Sequence, residues 1–243
     1  MNYNDGMEKQ RVLIIIPAYN EEETIVAAAQ SVIRAGYDCI VVNDGSTDKT
    51  LDYCRANNID VLNLPQNLGI GGAIQAGHKY ALSADYDIDI QFDGDGQHDA
   101  ASIPKLIDEI NKGADLAIGS RFVGGDNQFK STVLRRLGIS WFSFWIKLLT
   151  GGKVTDPTSG FRACNRRAIR LFAAKYSSDY PEPESIAVGF RMGLTICDVP
   201  VVMHERQGGT SSIKPLSSIY YMVKVTIAIL IACVSRKGIR RRH

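Results

Sequence analysis

The stretch IDIQFDGDGQHD, residues 88–99, sets an apolar run directly against a loop built from aspartate and glycine. The run at 88–92 has the length and composition of a buried strand, and Asp93-Gly94-Asp95 falls at its carboxyl end. The same arrangement repeats on either side. Strands are expected at 12–17, 39–43, 59–64 and 116–120, and unusual loops follow three of them: PAYNEE, NDGSTD and GSRF. Amphipathic helices are expected between the strands at 24–35, 48–57, 71–83 and 102–111. Ser102 with Pro104 just inside reads as the start of the last helix, and Gly113 as its stop. Strands alternating with helices of this length imply βαβ units, an α/β class and a mostly parallel sheet flanked by helices. In such sheets ligands sit beyond the carboxyl ends of the strands, so these loops are expected to carry the chemistry.

The 243 residues suffice for one α/β domain with a sizeable core and are too few for two comfortable ones. Hydrophobic residues at 45% and charged residues at 22% are ordinary for a folded globular chain. Five scattered cysteines (Cys39, Cys54, Cys164, Cys197, Cys233) form no C-x-x-C pair, so neither a disulfide framework nor a zinc site is indicated. A reducing compartment is expected, and no secretory signal precedes the first strand. The net charge of +2 hides an asymmetry: residues 1–126 carry 9 Lys/Arg against 20 Asp/Glu, and residues 127–243 carry 19 against 6. The basic half is expected to face lipid headgroups, phosphates or nucleic acid, or to be simply a solvated face. It contains no recognisable nucleic-acid module, so nucleic acid is not expected as a partner.

Asp93 and Asp95, on glycine-spaced backbone at a strand end, can turn toward one point. Mg²⁺ or Mn²⁺ prefers such oxygen ligands together with substrate phosphates, so the pair is read as a metal site rather than a solvated turn. Gln97 and His98 either support those carboxylates or line the loop, and His98 reads more readily as loop surface. Asp44 ends the second strand, where its carboxylate can accept hydrogen bonds from a base or ribose and Gly45 lets backbone approach. Ser46, Thr47 or Asp48 can equally cap the next helix. The glycines at 67–72 superficially suggest a dinucleotide loop. They lack the G-x-G-x-x-G spacing and follow the third strand, which argues against a Rossmann dehydrogenase.

After Arg121 the rhythm changes. A connector at 124–128 leads into an aromatic-rich stretch at 133–149, the turn-rich DPTSGFR, a helix at 166–174, YPEPE and a strand-like 195–202. The loop HERQGGTSS, an apolar segment at 216–234 and a basic tail follow. The motifs IIIPAYNEE, VVNDGSTDKT, QNLGIGGAIQAG, FDGDGQHD, GSRF, DPTSGFR and RQGGTSS occur in order between about Val12 and Ser212. In these the chain resembles the family 2 glycosyltransferases of GT-A fold, and within them the polyprenyl-phosphate (dolichyl-phosphate) mannose and glucose synthases. The resemblance implies a Rossmann-like central sheet and a metal-dependent inverting transfer of a hexose from a UDP- or GDP-sugar to polyprenyl phosphate. It implies that Pro17, Ala18, Tyr19, Glu21 and Asp44 hold the nucleoside, and that Asp93, Asp95 and Gln97 bind metal and diphosphate. It further implies that Arg206 and Ser211 contact phosphates, with Arg121 and Arg135 or Arg136 near an acceptor phosphate. Many relatives end in transmembrane helices, whereas this chain ends at His243 after a single apolar segment.

One domain is therefore expected over 1–215, with a nucleotide-sugar half at 11–121 and an acceptor half at 122–215. The remainder, 216–243, is expected to be an apolar helix plus basic tail. Its apolar core at 219–234 has 16 residues and contains Lys224. It would reach about 24 Å against a hydrocarbon core of about 30 Å. It reads as an interfacial or partner-bound helix, peripheral on the cytoplasmic face of a membrane and docked on lipid or a small membrane protein. Packing on the domain's own core is the alternative. The stretch at 133–149, with Trp141, Phe142, Phe144 and Trp145 among Arg135, Arg136 and Lys147, suits a headgroup layer or an ordinary core helix. Transfer to a sugar hydroxyl of a lipid-linked glycan or polysaccharide would instead need a base. Glu184 in YPEPE is the candidate, unless Glu182 and Glu184 are loop surface. The expected catalytic set is thus Asp95, Arg121 and, for a hydroxyl acceptor, Glu184. A non-catalytic sugar-nucleotide-binding scaffold is disfavoured because both Asp93 and Asp95 are present.

Overall fold

The computed structural model describes residues 10–96, 98–123, 133–179, 181–202 and 215–234. Among them, seven strands form one sheet: β1 (Val12–Ala18), β2 (Asp38–Asn43), β3 (Val61–Asn63), β4 (Ile88–Gln91), β5 (Leu116–Ser120), β6 (Arg162–Asn165) and β7 (Ile196–Pro200). The spatial order is β3-β2-β1-β4-β6-β5-β7. All pairings are parallel except those of β6, which runs antiparallel to β4 on one side and β5 on the other. The helices are α1 (Ile25–Arg34), α2 (Thr50–Ala56), α3 (Gly69–Ser83), α4 (Ile103–Asn111), α5 (Val133–Thr150), α6 (Arg166–Ala174), α7 (Pro181–Arg191) and α8 (Pro215–Val234).

Alternation along β1 explains the layers. Successive side chains point to opposite faces. Leu13 and Ile15 join Ile40, Val42, Ile74 and Phe172 on the α3/α6 side, while Ile14 and Ile16 join Val41, Ile25, Val32 and Leu106 on the α1/α4 side. A strand buried on both faces reads as a continuous apolar run, which is why VLIII was legible. Each such side chain contributes roughly 1.5–3 kcal/mol by its burial.

The expected strands and helices are present, with shifted ends and additions. The third strand is three residues long, and the chain leaves α2 through Asn58, which has a φ of 54°. Ser102 stands immediately before α4 with Pro104 in its first turn, as read, and a 3-10 turn at Ala100–Ser102 precedes it, opened by Asp99, whose side chain accepts a hydrogen bond from the Ala101 amide. Ser102 is buried and makes no side-chain cap. Residues 181–184, PEPE, are not a loop: Pro181 and Pro183 occupy the first turn of α7, where no amide hydrogen is needed. Antiparallel β6 has the largest consequence for the site. Its first residue, Arg162, pairs with Gln91 at the carboxyl end of β4, so the preceding loop DPTSGFR is delivered to Asp93.

One face of α8 is buried through Val225, Ile229 and Cys233, packed on α5 and α7. The other face exposes Val223, Ile227, Ile231 and Val234. Helix α5 divides likewise, burying Ile139, Phe142 and Ile146 and exposing Leu137, Trp141, Phe144 and Leu148. The two helices are fastened by a hydrogen bond from Trp141 Nε1 to Thr226 Oγ1, 2.9 Å. Among the described residues no helix is long and apolar enough to cross a membrane.

Candidate active site

The carboxyl ends of β1 and β2 open into a cleft of about 360 Å³ lined by Pro17, Ala18, Tyr19, Glu21, Asp44, Asn67, Gly69, Ile70 and Ala73. Five of these nine residues are those that the sequence assigns to a nucleoside. The floor is held by backbone: the Asp44 amide donates to Ala18 O at 2.8 Å, and Asp44 Oδ1 accepts from the Leu68 amide at 2.7 Å. Glu21 is fixed by its amide donating to Thr50 Oγ1 and its carboxylate accepting from Thr24 Oγ1. Gly45 has a φ of 69°, and a Cβ there would stand 2.8 Å from the Asn67 amide nitrogen. Asp48, not Asp44, supports the start of α2, its Oδ1 accepting from the Thr50 amide and hydroxyl. The capping role read for NDGSTD thus falls to Asp48.

Asn67, Gly69, Ile70 and Ala73 were missed as cleft residues, because their glycine pattern fitted no dinucleotide loop. The signal was in Gly71: a Cβ there would overlap Ser177 O, so the helix start must press against the 177–178 backbone. Gly71→Ala is expected to cost about 1–3 kcal/mol through overpacking, read as a lowered Tm.

At the end of β4, Asp95 is 5% exposed and Asp93 half-buried. His98, expected as loop surface, is buried: its Nε2 donates to Asp93 Oδ2 at 2.8 Å, and its ring stacks on Phe161 at 4.8 Å. On another side of Asp93 lies Gly160, where a Cβ would stand 2.9 Å from Asp93 Oδ1 and 3.0 Å from Gln91 Nε2. Asp93 and Asp95 supply hard oxygen donors of the kind Mg²⁺ or Mn²⁺ prefers. Gln97, Arg206 and Ser211 lie outside the described residues, as does the Arg135 side chain; Arg136 is exposed on α5.

Arg121 is buried, and its guanidinium forks onto Asp156: Nε donates to Oδ2 at 2.6 Å and Nη2 to Oδ1 at 2.8 Å. Nη2 also donates to Thr158 Oγ1. The pair pins the DPTSGFR loop to the end of β5. Arg162, which the sequence did not single out, fastens the same loop to α7. Its Nε and Nη2 donate to Ser159 O and Pro157 O, and its Nη1 to Glu182 O and Ser185 Oγ. Of the two glutamates in α7's first turn, Glu182 is the one in reach of the site: its carboxyl meets the Gln91 side chain and feels Asp93. Burial pushes this carboxyl up, with Arg162 opposing.

Behind the sheet, His78 Nδ1 and Asp89 Oδ2 are 2.6 Å apart in full burial, with Cys164 beside them and Phe172 and Tyr176 against the imidazole. Burial, then the charge of Asp89, pushes the Cys164 thiol well up. These three ligand-type groups are one short of a closed zinc site.

The family model for Glycosyl transferase family 2 matches residues 13–172. The chain is 33% identical over 218 residues to an undecaprenyl-phosphate mannosyltransferase of Micrococcus luteus, spanning 83% of this chain and 86% of that one. It is 31% identical over 214 residues to a polyprenol monophosphomannose synthase of Mycolicibacterium smegmatis, spanning 83% and 80%. In structure it is similar to glucosyl-3-phosphoglycerate synthase from Mycobacterium tuberculosis, solved with Mn²⁺, UDP-glucose and phosphoglyceric acid. The TM-score is 0.69 at 23% identity, over 92% of this chain and 80% of that one, a likeness of fold.

Proposed function

This chain belongs to glycosyl transferase family 2 and is a glycosyltransferase, and from that premise we propose that it moves a hexose from a UDP- or GDP-sugar to a polyprenyl phosphate, with inversion, at the cytoplasmic face of a membrane. The observation that carries the reading is the convergence, along one rim of the sheet, of the nucleoside-sized cleft and the Asp93–Asp95 pair. In it Pro17, Ala18, Tyr19, Glu21 and Asp44 orient the nucleoside, and Asp93 and Asp95, with Gln97, hold Mg²⁺ or Mn²⁺. When bound, the metal supplies Lewis-acid stabilisation of the departing diphosphate. Arg206 and Ser211 contact phosphates of the substrates, and Arg135 and Arg136 gather the acceptor's charge. The nucleotide-sugar half at 11–121 and the acceptor half at 122–215 then meet across β4 and β6.

A phosphate monoester, with a second pKa near about 6, arrives largely as an anion and needs positioning more than deprotonation. A sugar hydroxyl keeps its proton, and a general base is typically worth about 10²–10⁴-fold. The second reading, transfer to a hydroxyl of a lipid-linked glycan, draws support from the raised Glu182 carboxyl close to Asp93. Purified protein offered a panel of nucleotide sugars with short polyprenyl phosphate separates the two. Glu182→Gln and Glu184→Gln are expected to cost less than about tenfold in kcat, while Arg135 and Arg136 replaced together by alanine raise the acceptor KM. A loss of about a hundredfold or more for either glutamine variant, with an indifferent double-arginine variant, would transfer the assignment to the hydroxyl acceptor.

The membrane side of the proposal draws on the paired apolar faces of α5 and α8 and on the basic second half of the sequence. Apolar burial together with cation–headgroup attraction is the usual composition of interfacial binding. Ile227 and Ile231 are exposed, so replacing both by aspartate is expected to leave Tm near the parent value. Sedimentation with anionic vesicles should then fall at least tenfold. Equal sedimentation of parent and variant would reject this face as the lipid contact and favour a small membrane protein as its partner.

A further inference from the structure

We propose that Asp93 is held in its metal-binding pose by a two-sided clamp, with His98 as the positioning residue on one side and the bare backbone of Gly160 on the other. The inference rests on the reading of Asp93 and Asp95 as the metal site and deepens it. Three elements build the clamp. His98 comes from the loop after β4, Phe161 and Gly160 from the loop before β6, and Phe92 from the position directly after β4.

His98 is placed by aromatic packing. Its ring stacks on Phe161 at 24° and 4.8 Å between centroids, and meets the edge of Phe92 at 5.6 Å. Phe92 and Phe161 also pack edge to face, at 5.7 Å, and both are fully buried. The imidazole therefore has one orientation, in which Nε2 donates to Asp93 Oδ2 at 2.8 Å. Among the described residues Nδ1 is buried with no hydrogen-bond partner. An imidazole placed for its own sake would be expected to satisfy both nitrogens; this one satisfies the nitrogen that faces Asp93.

Gly160 closes the other side. A Cβ at 2.9 Å from Asp93 Oδ1 and 3.1 Å from Oδ2 is nearer than side chains approach, and His98 restricts the carboxylate's retreat. Any side chain at 160 would thus turn Asp93 away from the pose that His98 maintains. The loop that bears Gly160 and Phe161 is itself tied down by Arg121–Asp156 and by Arg162. Groups that orient a metal-binding side chain are typically worth about 10–100-fold in metal affinity or activity.

The test is Mn²⁺ binding measured by electron paramagnetic resonance in the presence of UDP or GDP, with Tm recorded for every variant. His98→Phe keeps a ring on Phe161 and removes the donor; His98→Gln keeps a donor near the Nε2 position. The expected result is Mn²⁺ Kd raised about 10–100-fold by His98→Phe and by Gly160→Ala, with His98→Gln recovering most of the loss. Wild-type Kd in both His98→Phe and Gly160→Ala would overturn the clamp. So would equal loss of binding and of Tm in His98→Phe and His98→Gln, which would make His98 a purely structural residue. Asp93→Asn separates this from the underlying reading: if that variant binds Mn²⁺ as the parent does, the metal site itself is elsewhere. If it alone loses binding, the site stands and the clamp falls.

Discussion

Asp95→Asn should abolish sugar transfer, by about 10³-fold or more, while leaving Tm within a degree or two of the parent. The carboxylate is 5% exposed at the end of β4, so its charge is spent on a local partner rather than on solvent. Asparagine preserves the shape and removes a full negative charge from the group that is to hold a divalent cation. Such an ion typically contributes several kcal/mol of stabilisation to a departing diphosphate, and each 1.36 kcal/mol is tenfold in rate, which sets the expected size at about a thousandfold. Asp93→Asn should behave alike, although its amide oxygen can still accept from His98. Excess EDTA should have the same effect on the parent enzyme, reversed by Mn²⁺ or Mg²⁺. Transfer at an undiminished rate in chelator would end the metal-dependent proposal, whatever the variants did.

How much of this could be read from sequence differs by element, for physical reasons. The strands 12–18, 38–43 and 116–120 are largely buried on both faces, so their apolar runs announce themselves, whereas 88–91 also buries Asp89 and Gln91. β6 does not. It is four residues long and begins with Arg162, a cation whose burial is possible only because four acceptors from 157, 159, 182 and 185 surround it, and none of those is adjacent in sequence. Missing β6 hid the route that brings Gly160 and Phe161 to Asp93. The α7 prolines misled in the opposite direction, since proline breaks a helix interior but suits its first turn. Within the site, Pro17, Ala18, Tyr19, Glu21 and Asp44 follow strand ends and were legible; Asn67 and Ala73 reach the cleft only through the packing of α3. His98 shows the general limit: one histidine in a polar loop looks like surface until the two phenylalanines that bury it are known.

Arg121 yields the second large effect. The resemblance places it near the acceptor phosphate, but the structure commits its guanidinium fork to Asp156, with both partners buried and bonds of 2.6 and 2.8 Å. Removing one partner of such a pair leaves a buried charge without its counterion, typically about 3–5 kcal/mol. Asp156→Asn or Arg121→Met alone should therefore lower Tm by roughly 6–20 °C, at about 2–4 °C per kcal/mol for a chain of this size. Replacing both by apolar residues of similar volume, Arg121→Met with Asp156→Leu, removes the charge imbalance and should recover most of that stability. The double variant also isolates function. With the loop still anchored by Arg162, a bracing role predicts that the acceptor KM changes by less than about threefold, because the missing fork was never available to a phosphate. A phosphate-binding role predicts a rise of about tenfold or more, the size of one lost charge-assisted contact. Steady-state transfer to short polyprenyl phosphate by the stable double variant decides between them, and the larger shift would restore Arg121 to the acceptor site.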